Sequence, residues 1–225
     1  MRVVATAGHV DHGKSTLVRA LTGMEPDRYA EEQRRGLTID LGYAWTRLDT
    51  PGLADPVLAF VDVPGHERFI ATMLAGLGPA PAVLFVVAAD EGWRRQSAEH
   101  LAAIDALGLA HGLLVVTRTD RADPGAALAA ARAEIAGSSL GALPAVAVSA
   151  VTGAGLPELR AALARLGAAL PAPRTAGRVR LRVDRSFSVR GAGTVVAGTL
   201  GAGTLRTGDE LVLGDRRVTV RGLQS

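Results

Sequence analysis

Hydrophobic and polar positions along the first three quarters of the chain predict strands and helices in alternation. Apolar runs typical of buried strands occur at 2–7, 41–48, 57–63, 82–89, 112–117 and 144–149. Helical periodicity occurs between most of them, at 15–21, 67–77, 94–108, 124–137 and 156–169. A polar stretch over 24–40, rich in Arg and Glu, is expected to form a loop. This alternation predicts an α/β fold with a mainly parallel sheet, in which ligands bind at the carboxyl ends of the strands.

The pattern changes at residues 171–177, where two prolines and a glycine predict a linker after a first domain at 1–170. Residues 178–183 then alternate between arginine and apolar side chains, which is the period of a half-buried strand. Gly-rich turns separate further strands expected at about 193–200, 210–213 and 216–221. A module of four or five strands at 178–225 would leave open edges that a closed barrel avoids. We therefore expect the start of a β-barrel, and a chain that is a piece of a longer protein.

The composition excludes some functions and leaves others open. The 225 residues include no cysteine, which excludes disulfides and thiolate metal sites. A formal net charge of +3 is too small to indicate nucleic-acid binding by itself. No apolar run reaches membrane-spanning length, and the N-terminal strand runs straight into a glycine-rich loop with no room for a signal peptide. We expect a cytoplasmic protein with no membrane partner.

A single lysine stands among the 25 basic residues, at position 14 of the segment Gly8–Ser15. This segment has the complete G-x-x-x-x-G-K-S spacing of a phosphate-binding loop, between a predicted strand and a predicted helix. Such a loop needs a compact ammonium group rather than the planar fork of arginine. The lysine would reach the β- and γ-phosphates while the loop amides wrap them. The expected phosphate contacts are Asp11, His12, Gly13, Lys14, Ser15 and Thr16.

Two further segments supply groups for Mg²⁺ and the γ-phosphate. Asp62 ends a predicted buried strand, so its carboxylate can hold Mg²⁺ through a water while Ser15 supplies a direct oxygen ligand. Gly65 has a backbone N–H that can approach the γ-phosphate closely. Thr38, in the polar stretch, can complete the Mg²⁺ shell when the γ-phosphate is present and leave it after hydrolysis. The predicted metal-binding residues are Ser15, Thr38 and Asp62.

The nucleobase is expected to bind after the last two strands of the first domain. The candidate residues follow the ends of those strands: Thr117, Arg118, Asp120, Ser149 and Ala150. Asp120 is the discriminating residue, because a carboxylate there can accept hydrogen bonds from both N1 and N2 of guanine. Adenine lacks this donor pair, and a site built for a paired contact strongly rejects a ligand without it.

Several of these segments together resemble the nucleotide motifs of translational GTPases of the elongation factor Tu type. They are GHVDHGKST at Gly8–Thr16, RGLTI at Arg35–Ile39 and DVPGH at Asp62–His66. Longer stretches resemble the selenocysteine-specific elongation factors, namely RRGLTIDLGYA at 34–44, DVPGHERFIATMLAG at 62–76 and DRSFSVRGAGTVVAG at 184–198. The resemblance covers the whole chain. It implies a P-loop GTPase domain followed by the start of an antiparallel β-barrel of the elongation factor Tu domain 2 type.

The resemblance also implies an activity: GTP hydrolysis, with GTP, GDP and Mg²⁺ as cofactors, coupled to delivery of selenocysteinyl-tRNA to the ribosome. An mRNA hairpin would be bound only through domains absent from this chain. His66 would orient the water that attacks the γ-phosphate. Val10 and Leu37 would form a hydrophobic gate that separates this histidine from the phosphate until the ribosome engages. Asp184 and Arg185 match polar residues proposed to help form the selenocysteinyl pocket.

The base motif departs from the family pattern N-K-x-D or T-K-x-D, because Arg118 stands where the lysine would be. Asp120 keeps the carboxylate, so we expect GTP rather than ATP, with an altered affinity. Two other functions stay open. A general aminoacyl-tRNA or initiator-tRNA factor would share the same GTP site, and a nucleotide-gated scaffold would bind nucleotide with little catalysis.

The remaining features have structural interpretations. Four histidines are expected to bind no zinc, the first two shaping the loop and the last two lying on the surface: His9, His12, His100 and His111.

Counted along its strand, Arg185 falls on the same face as the apolar residues of that strand. It belongs either to the pocket or to a segment beyond a strand that ends at Val183.

Overall fold

The computed structural model describes residues 1–26, 38–48, 57–172, 174–191 and 193–224. These residues form two units, Met1–Leu170 and Pro171–Ser225. None of the helices in the described ranges is long and apolar enough to cross a membrane.

A six-stranded sheet forms the centre of the first unit. Its strands are β1 (Arg2–Ala7), β2 (Gly42–Arg47), β3 (Val57–Asp62), β4 (Val83–Ala88), β5 (Gly112–Thr117) and β6 (Ala145–Ala147). They lie in the order β2-β3-β1-β4-β5-β6, with β2 antiparallel to β3 and every other neighbour parallel. The predicted mainly parallel sheet is confirmed. The continuous apolar runs of β4 and β5 are buried along their whole length, as expected for strands covered on both faces.

Five α-helices accompany the sheet in the described residues: α1 (Lys14–Thr22), α2 (Ile70–Leu77), α3 (Arg95–Ala106), α4 (Gly125–Ile135) and α5 (Leu156–Ala169). The helix predicted at 67–77 is divided into a 3₁₀ turn at Glu67–Phe69 and α2. The division has a local cause. Phe69 has φ −112° and ψ 24°, outside the helical range, so the turn and the helix do not form one continuous ladder.

The apolar side chains of the sheet form two cores, one on each face. Helices α1 and α5 pack on one face, where Leu17 and Leu163 meet strand residues such as Leu84. Helices α2, α3 and α4 pack on the other, where Ile104 meets Phe85. Because neighbouring strand residues point to opposite faces, β4 contributes alternately to both cores. The loops at the carboxyl ends of the strands are therefore held on a rigid support.

Two antiparallel strand pairs form the second unit. Strand β7 (Arg180–Val189) pairs with β8 (Gly193–Ala202), and β9 (Glu210–Leu213) pairs with β10 (Arg216–Thr219). The expected antiparallel strands are confirmed, while their closure into a barrel stays a prediction.

The strand register explains the unusual parity of Arg185. The alternative that the strand ends at Val183 is wrong, because β7 continues to Val189. The pairing shifts between Val183, opposite Gly198, and Arg185, opposite Ala197. Such a shift inserts an extra residue and resets the alternation of side chains. Both Asp184 and Arg185 are half-buried.

Candidate functional site

A cavity of about 690 Å³ lies at the carboxyl ends of the first unit's strands and joins most of the predicted site residues. Those lining it are Val10, Asp11, Gly13, Lys14, Ser15, Thr16, Thr38, Gly65, Thr117, Arg118, Asp120 and Ala150. Four others of the first unit lie outside its lining: His12, Asp62, His66 and Ser149. Residues that the sequence did not single out also line it, namely Arg19, Glu25, Arg121 and Val151. The volume and position fit a small-molecule site in an open α/β sheet.

The phosphate loop is shaped by left-handed backbone at three positions, the first of which is Gly8 with φ 126°. Asp11 has φ 62°, and Gly13 has φ 82° and ψ 27° as the residue that precedes α1. Lys14, the first residue of α1, is only 5 % exposed, and its ammonium group donates to the carbonyl oxygens of Gly8 (3.0 Å) and His9 (2.8 Å). The cation is thus held within the loop, at the N-terminus of a helix whose dipole also favours anions.

His100 secures the start of this loop, and its predicted surface position is wrong. The ring is only 3 % exposed, and its Nδ1 accepts from the backbone N–H of Gly8 at 3.1 Å. Burial lowers the pKa of His100 to about 3, so the ring is neutral and able to accept. His100 lies on the sheet-facing side of α3 with Leu101 and Ile104. That helical spacing was the available signal for a buried position. His111 is exposed, as expected.

The carboxylate of Asp62 is buried and only partly paired. The hydroxyl of Thr6 donates to its Oδ1 at 2.7 Å and accepts from the N–H of Val63 at 3.0 Å. Oδ2 is buried with no hydrogen-bond partner among the described residues. Burial raises the pKa of Asp62, against the effect of the nearby hydroxyls of Ser15 and Thr6. A buried carboxylate oxygen in this condition calls for a cation or a water.

The hydroxyls of Ser15 and Thr38 complete a set of oxygen donors. Ser15 Oγ and Thr38 Oγ1 lie 2.9 Å apart, and both residues line the cavity. Thr38 is only 6 % exposed. Hydroxyl and carboxylate oxygens are ligands that Mg²⁺ accepts. Together with the unpartnered oxygen of Asp62, these residues fit a divalent cation.

Gly65 and His66 follow Asp62 in the chain and lie beside the phosphate loop. A side-chain Cβ at Gly65 would stand 2.5 Å from Lys14 Nζ and 2.5 Å from the nitrogen of Val10, so only glycine fits there. His66 is half-buried, and its Nδ1 accepts from the N–H of Arg68 at 3.2 Å. The proton of the neutral His66 ring is therefore on Nε2.

The predicted hydrophobic gate is described at one of its two residues. Val10 lines the cavity, and its N–H donates to Gln96 Oε1 at 3.1 Å. Leu37 lies outside the described residues, so the gate stays a prediction. Gln96, at the start of α3, fixes the loop, and no motif in the sequence points to it.

The base end of the cavity is held by two hydroxyls. Thr117 Oγ1 donates to the carbonyl of His12 at 2.7 Å, which ties the end of β5 to the phosphate loop. Ser149 Oγ donates to Asp120 Oδ1 at 2.6 Å, and this hydrogen bond lowers the pKa of Asp120. Asp120 is exposed, and Ala150 beside it lines the cavity. An ionised carboxylate is thus presented at the position expected to accept from guanine.

Arg118 crosses from the base loop to the phosphate loop. Its Nη1 lies 3.1 Å from Asp90 Oδ1 and 2.7 Å from Glu91 Oε1, while its Nη2 donates to the carbonyl of Asp11. In the structure its guanidinium is committed to ion pairs, which a reading of T-R-T-D alone does not reveal.

A cluster of His9, His12 and Glu91 places potential metal ligands within 4.8 Å of one another. His12 is fully buried, and desolvation lowers its pKa to about 4. The Glu91 carboxylate already has Arg118 at 2.7 Å and Arg94 at 3.7 Å. A metal would compete with these two cations for the same carboxylate, so the cluster supports no metal assignment. The histidine rings, 4.9 Å apart and edge to face, pack the loop.

These features define a class of protein. A strand, a glycine-rich phosphate loop and a helix, with a buried aspartate at the end of a neighbouring strand, form a P-loop nucleotide-binding domain. The family described as "Elongation factor Tu GTP binding domain" matches residues 1–168. The chain belongs to this family.

Individual proteins and solved structures show which members of this family the chain is similar to. The selenocysteine-specific elongation factor of Desulfomicrobium baculatum is 45 % identical over 227 residues, covering 99 % of this chain and 35 % of that protein. A crystal structure of a bacterial selenocysteine-specific elongation factor matches with a TM-score of 0.89 and 37 % identity, over 98 % of this chain and 38 % of the other. That of elongation factor SelB from Methanococcus maripaludis, in complex with the GTP analogue GppNHp, matches with a TM-score of 0.79 and 27 % identity, over 93 % and 43 %. The chain spans about a third of the length of the curated relatives that it matches first.

Proposed function

We propose that this chain binds and hydrolyses GTP as part of a translation factor that delivers selenocysteinyl-tRNA to the ribosome. The observation that carries the proposal is the cavity of about 690 Å³, which joins residues from sequence segments more than a hundred positions apart. A cation within the phosphate loop lies at one end of it, and an exposed carboxylate lies at the other. A cation and a carboxylate lining one cavity suit a guanine nucleotide with its phosphates in the loop.

The phosphate end supplies binding and charge neutralisation. Lys14 and the amides of the loop would hold the phosphates, and the N–H of Gly65 would contact the γ-phosphate. Ser15, Thr38 and Asp62 would hold Mg²⁺, which neutralises charge on the phosphate oxygens when it is bound. The unpartnered Oδ2 of Asp62 supports this assignment. Because phosphoryl transfer depends on positioning and electrostatics, residues already fixed by the fold are suited to it.

His66 is the proposed water-orienting residue. Because its Nδ1 accepts from Arg68, the neutral ring can act toward the cavity only through Nε2–H, as a hydrogen-bond donor. A hydrogen-bond donor can orient the attacking water by donating to one of the water's lone pairs, without removing a proton from the water. We therefore propose positioning, rather than general base catalysis, as the role of His66.

Asp120 is the proposed determinant of base specificity. Its carboxylate is held ionised by the Ser149 hydroxyl and can accept from guanine N1 and N2. Adenine offers no donor at N1, so it would leave the carboxylate unpaired. GTP and GDP are therefore the proposed nucleotides, rather than ATP.

The second unit supports the tRNA part of the proposal. Asp184 and Arg185 are half-buried at a shift in strand register, a feature that often re-aims side chains at functional sites. A cation there would favour the selenolate anion of selenocysteine over the neutral hydroxyl of serine. The cytoplasmic ribosome is the proposed partner, and mRNA would be recognised by parts of the protein beyond these residues.

Nucleotide binding is tested by calorimetry on the 225-residue chain with GTP, GDP and ATP, each with Mg²⁺. We expect binding of both guanine nucleotides and none of ATP at the same concentrations. Hydrolysis by the chain alone should be slow, since activating groups in trans add about 10³–10⁵ in rate in related phosphoryl transfers. Preference for ATP, or rapid hydrolysis without ribosomes, would contradict the proposal.

The role of His66 is tested with His66→Ala and ribosomes. We expect GTP affinity to be retained and the ribosome-stimulated rate to be lost. His111→Ala, which removes an exposed histidine before β5, is the matched control and should behave as the wild type. An unchanged stimulated rate in His66→Ala rules out the assigned role.

Substrate specificity is tested by filter binding of selenocysteinyl- and seryl-tRNA to the GTP-loaded chain. We expect a preference for the selenocysteinyl form that is lost in Arg185→Gln and kept in Arg182→Gln, an exposed arginine on the same strand. Equal binding of the two tRNAs would favour a general aminoacyl- or initiator-tRNA factor. Nucleotide binding without stimulated hydrolysis would favour a scaffold.

A further inference from the structure

The ends of three adjacent strands meet at the guanidinium group of Arg118. Asp11 follows β1, Asp90 and Glu91 follow β4, and Arg118 follows β5, and these strands are neighbours in the order β1-β4-β5. The side chain of Arg118 is 21 % exposed, and those of Asp90 and Glu91 are 25 % and 28 % exposed. The contacts are therefore partly shielded from solvent, where ion pairs are screened less than on an open surface.

The contacts use the shape of arginine. Nη1 lies 3.1 Å from Oδ1 and 3.2 Å from Oδ2 of Asp90, and 2.7 Å from Oε1 of Glu91. Nη2 points the other way and donates to the carbonyl of Asp11. A planar fork can serve both sides at once, whereas an ammonium group is a single point of charge. Although desolvation acts to raise it, the pKa of Asp90 is held below its usual value by hydrogen bonds and charge from Arg118.

Positive φ angles occur in the same two loops, the phosphate loop and the base loop. Among the described residues other than glycine, only Asp11 (φ 62°) and Arg118 (φ 58°) have positive φ. These are the residues joined by the Nη2 contact. Left-handed backbone is unfavourable for a residue with a side chain and persists where the surroundings impose it. The strained conformations thus lie at the two ends of one bridge.

We propose that Asp90 and Glu91 are positioning residues for guanine nucleotide binding, which hold Arg118 as a brace between the base loop and the phosphate loop. The inference rests on the proposed function, because it concerns the affinity of the same site. By fixing the two loops to each other, the brace sets the distance between the groups that hold the base and the phosphates. Loss of the brace should mainly speed nucleotide release, as loss of preorganisation does.

The test measures release of fluorescently labelled GDP from the full chain. Arg118→Lys keeps the charge and removes the fork, and we expect release about tenfold faster. Glu91→Gln should speed release by several-fold. In the double variant the two effects should not multiply, because both remove one network. Arg165→Lys is the control: it makes the same exchange at an exposed arginine of α5 that does not line the cavity.

Arg118→Gly provides a second variant that relieves the backbone strain, since glycine adopts positive φ freely. We expect it to fold and to release GDP at least as fast as Arg118→Lys. Release from Arg118→Lys at the rate of Arg165→Lys would overturn the brace. Fully multiplicative effects with Glu91→Gln would overturn the role of the acidic residues. A wild-type chain that binds no guanine nucleotide would overturn the proposed function, and the brace with it.

Discussion

The two ends of the cavity are built in different ways. At the phosphate end Lys14 is 5 % exposed, Thr38 is 6 % exposed and Asp62 is fully buried. At the base end Asp120 is exposed, and Val151 beside it is 79 % exposed. Buried polar groups depend on their partners for the hydrogen bonds that water would otherwise supply. The phosphate end should therefore tolerate fewer substitutions than the base end.

The lysine of the phosphate loop and the arginine of the base loop show this difference. Lys14 is only 5 % exposed, and its ammonium group lies between two carbonyl groups and close to Gly65, a setting that suits a compact cation. Arg118 lines the cavity with its side chain 21 % exposed, and Asp90 and Glu91 pair with its guanidinium. Of these two basic positions, the buried one is lysine, and arginine occurs only at the more exposed one.

The largest expected effect is that of Lys14→Ala. Removing a buried, hydrogen-bonded charge that contacts a charged ligand costs enough to weaken Mg²⁺–GDP binding by at least about a hundredfold. Calorimetry measures the loss. Arg19→Ala removes another cation that lines the cavity but is 67 % exposed, and it should bind nearly as the wild type does. If both variants lose affinity equally, burial does not distinguish the two ends.

Asp120→Ala should have the next largest effect. The variant loses two hydrogen bonds to a charged acceptor, and we expect GDP affinity to fall about 10- to 100-fold. Inosine diphosphate lacks the N2 donor and should lose less, so the ratio of the two affinities reports the contact directly. Asp123→Ala removes an exposed carboxylate from the same loop as a control. A loss in Asp120→Ala that exceeds the loss in Lys14→Ala would reverse the comparison.

The sequence identified residues that line the cavity more readily than the residues that hold them in place. The spacing of Gly8 and Lys14 and the strand-end position of Asp62 identify the phosphate end, because that chemistry allows few alternatives. The surface position predicted for His100 is wrong because histidine is usually exposed, although its spacing with Leu101 and Ile104 indicates the buried face of α3. The ion pairs of Arg118 depend on β4 and β5 being neighbours, a property of sheet order that no short segment contains.

Gly65→Ala should affect GTP more than GDP. Its added methyl group would meet Lys14 Nζ and the Val10 nitrogen at 2.5 Å, where backbone cannot move easily. Overpacking of this kind costs enough to weaken GTP binding about tenfold. The control is Gly137→Ala, at a position with nothing within 4 Å of the new atom. Equal loss for GTP and GDP would place the effect on the loop as a whole rather than on a γ-phosphate contact.

Ser149→Ala should have the smallest effect at neutral pH and a larger one in acid. The Ser149 hydrogen bond lowers the pKa of Asp120, so the carboxylate stays ionised until the pH falls through that lowered value. Without the hydroxyl, the pKa rises toward its ordinary value of about 3.9, and protonation removes the base contact at a higher pH. GDP affinity of the variant should therefore be reduced by about threefold at neutral pH, the loss of one hydrogen bond. The affinity of the variant should then decline at a higher pH than that of the wild type on acidification.

Both proteins keep His12 and His100, whose buried rings become charged in acid. The ratio of the GDP affinities of variant and wild type therefore isolates the effect of Asp120. A ratio that does not change with pH would show that Ser149 orients the carboxylate without tuning its charge.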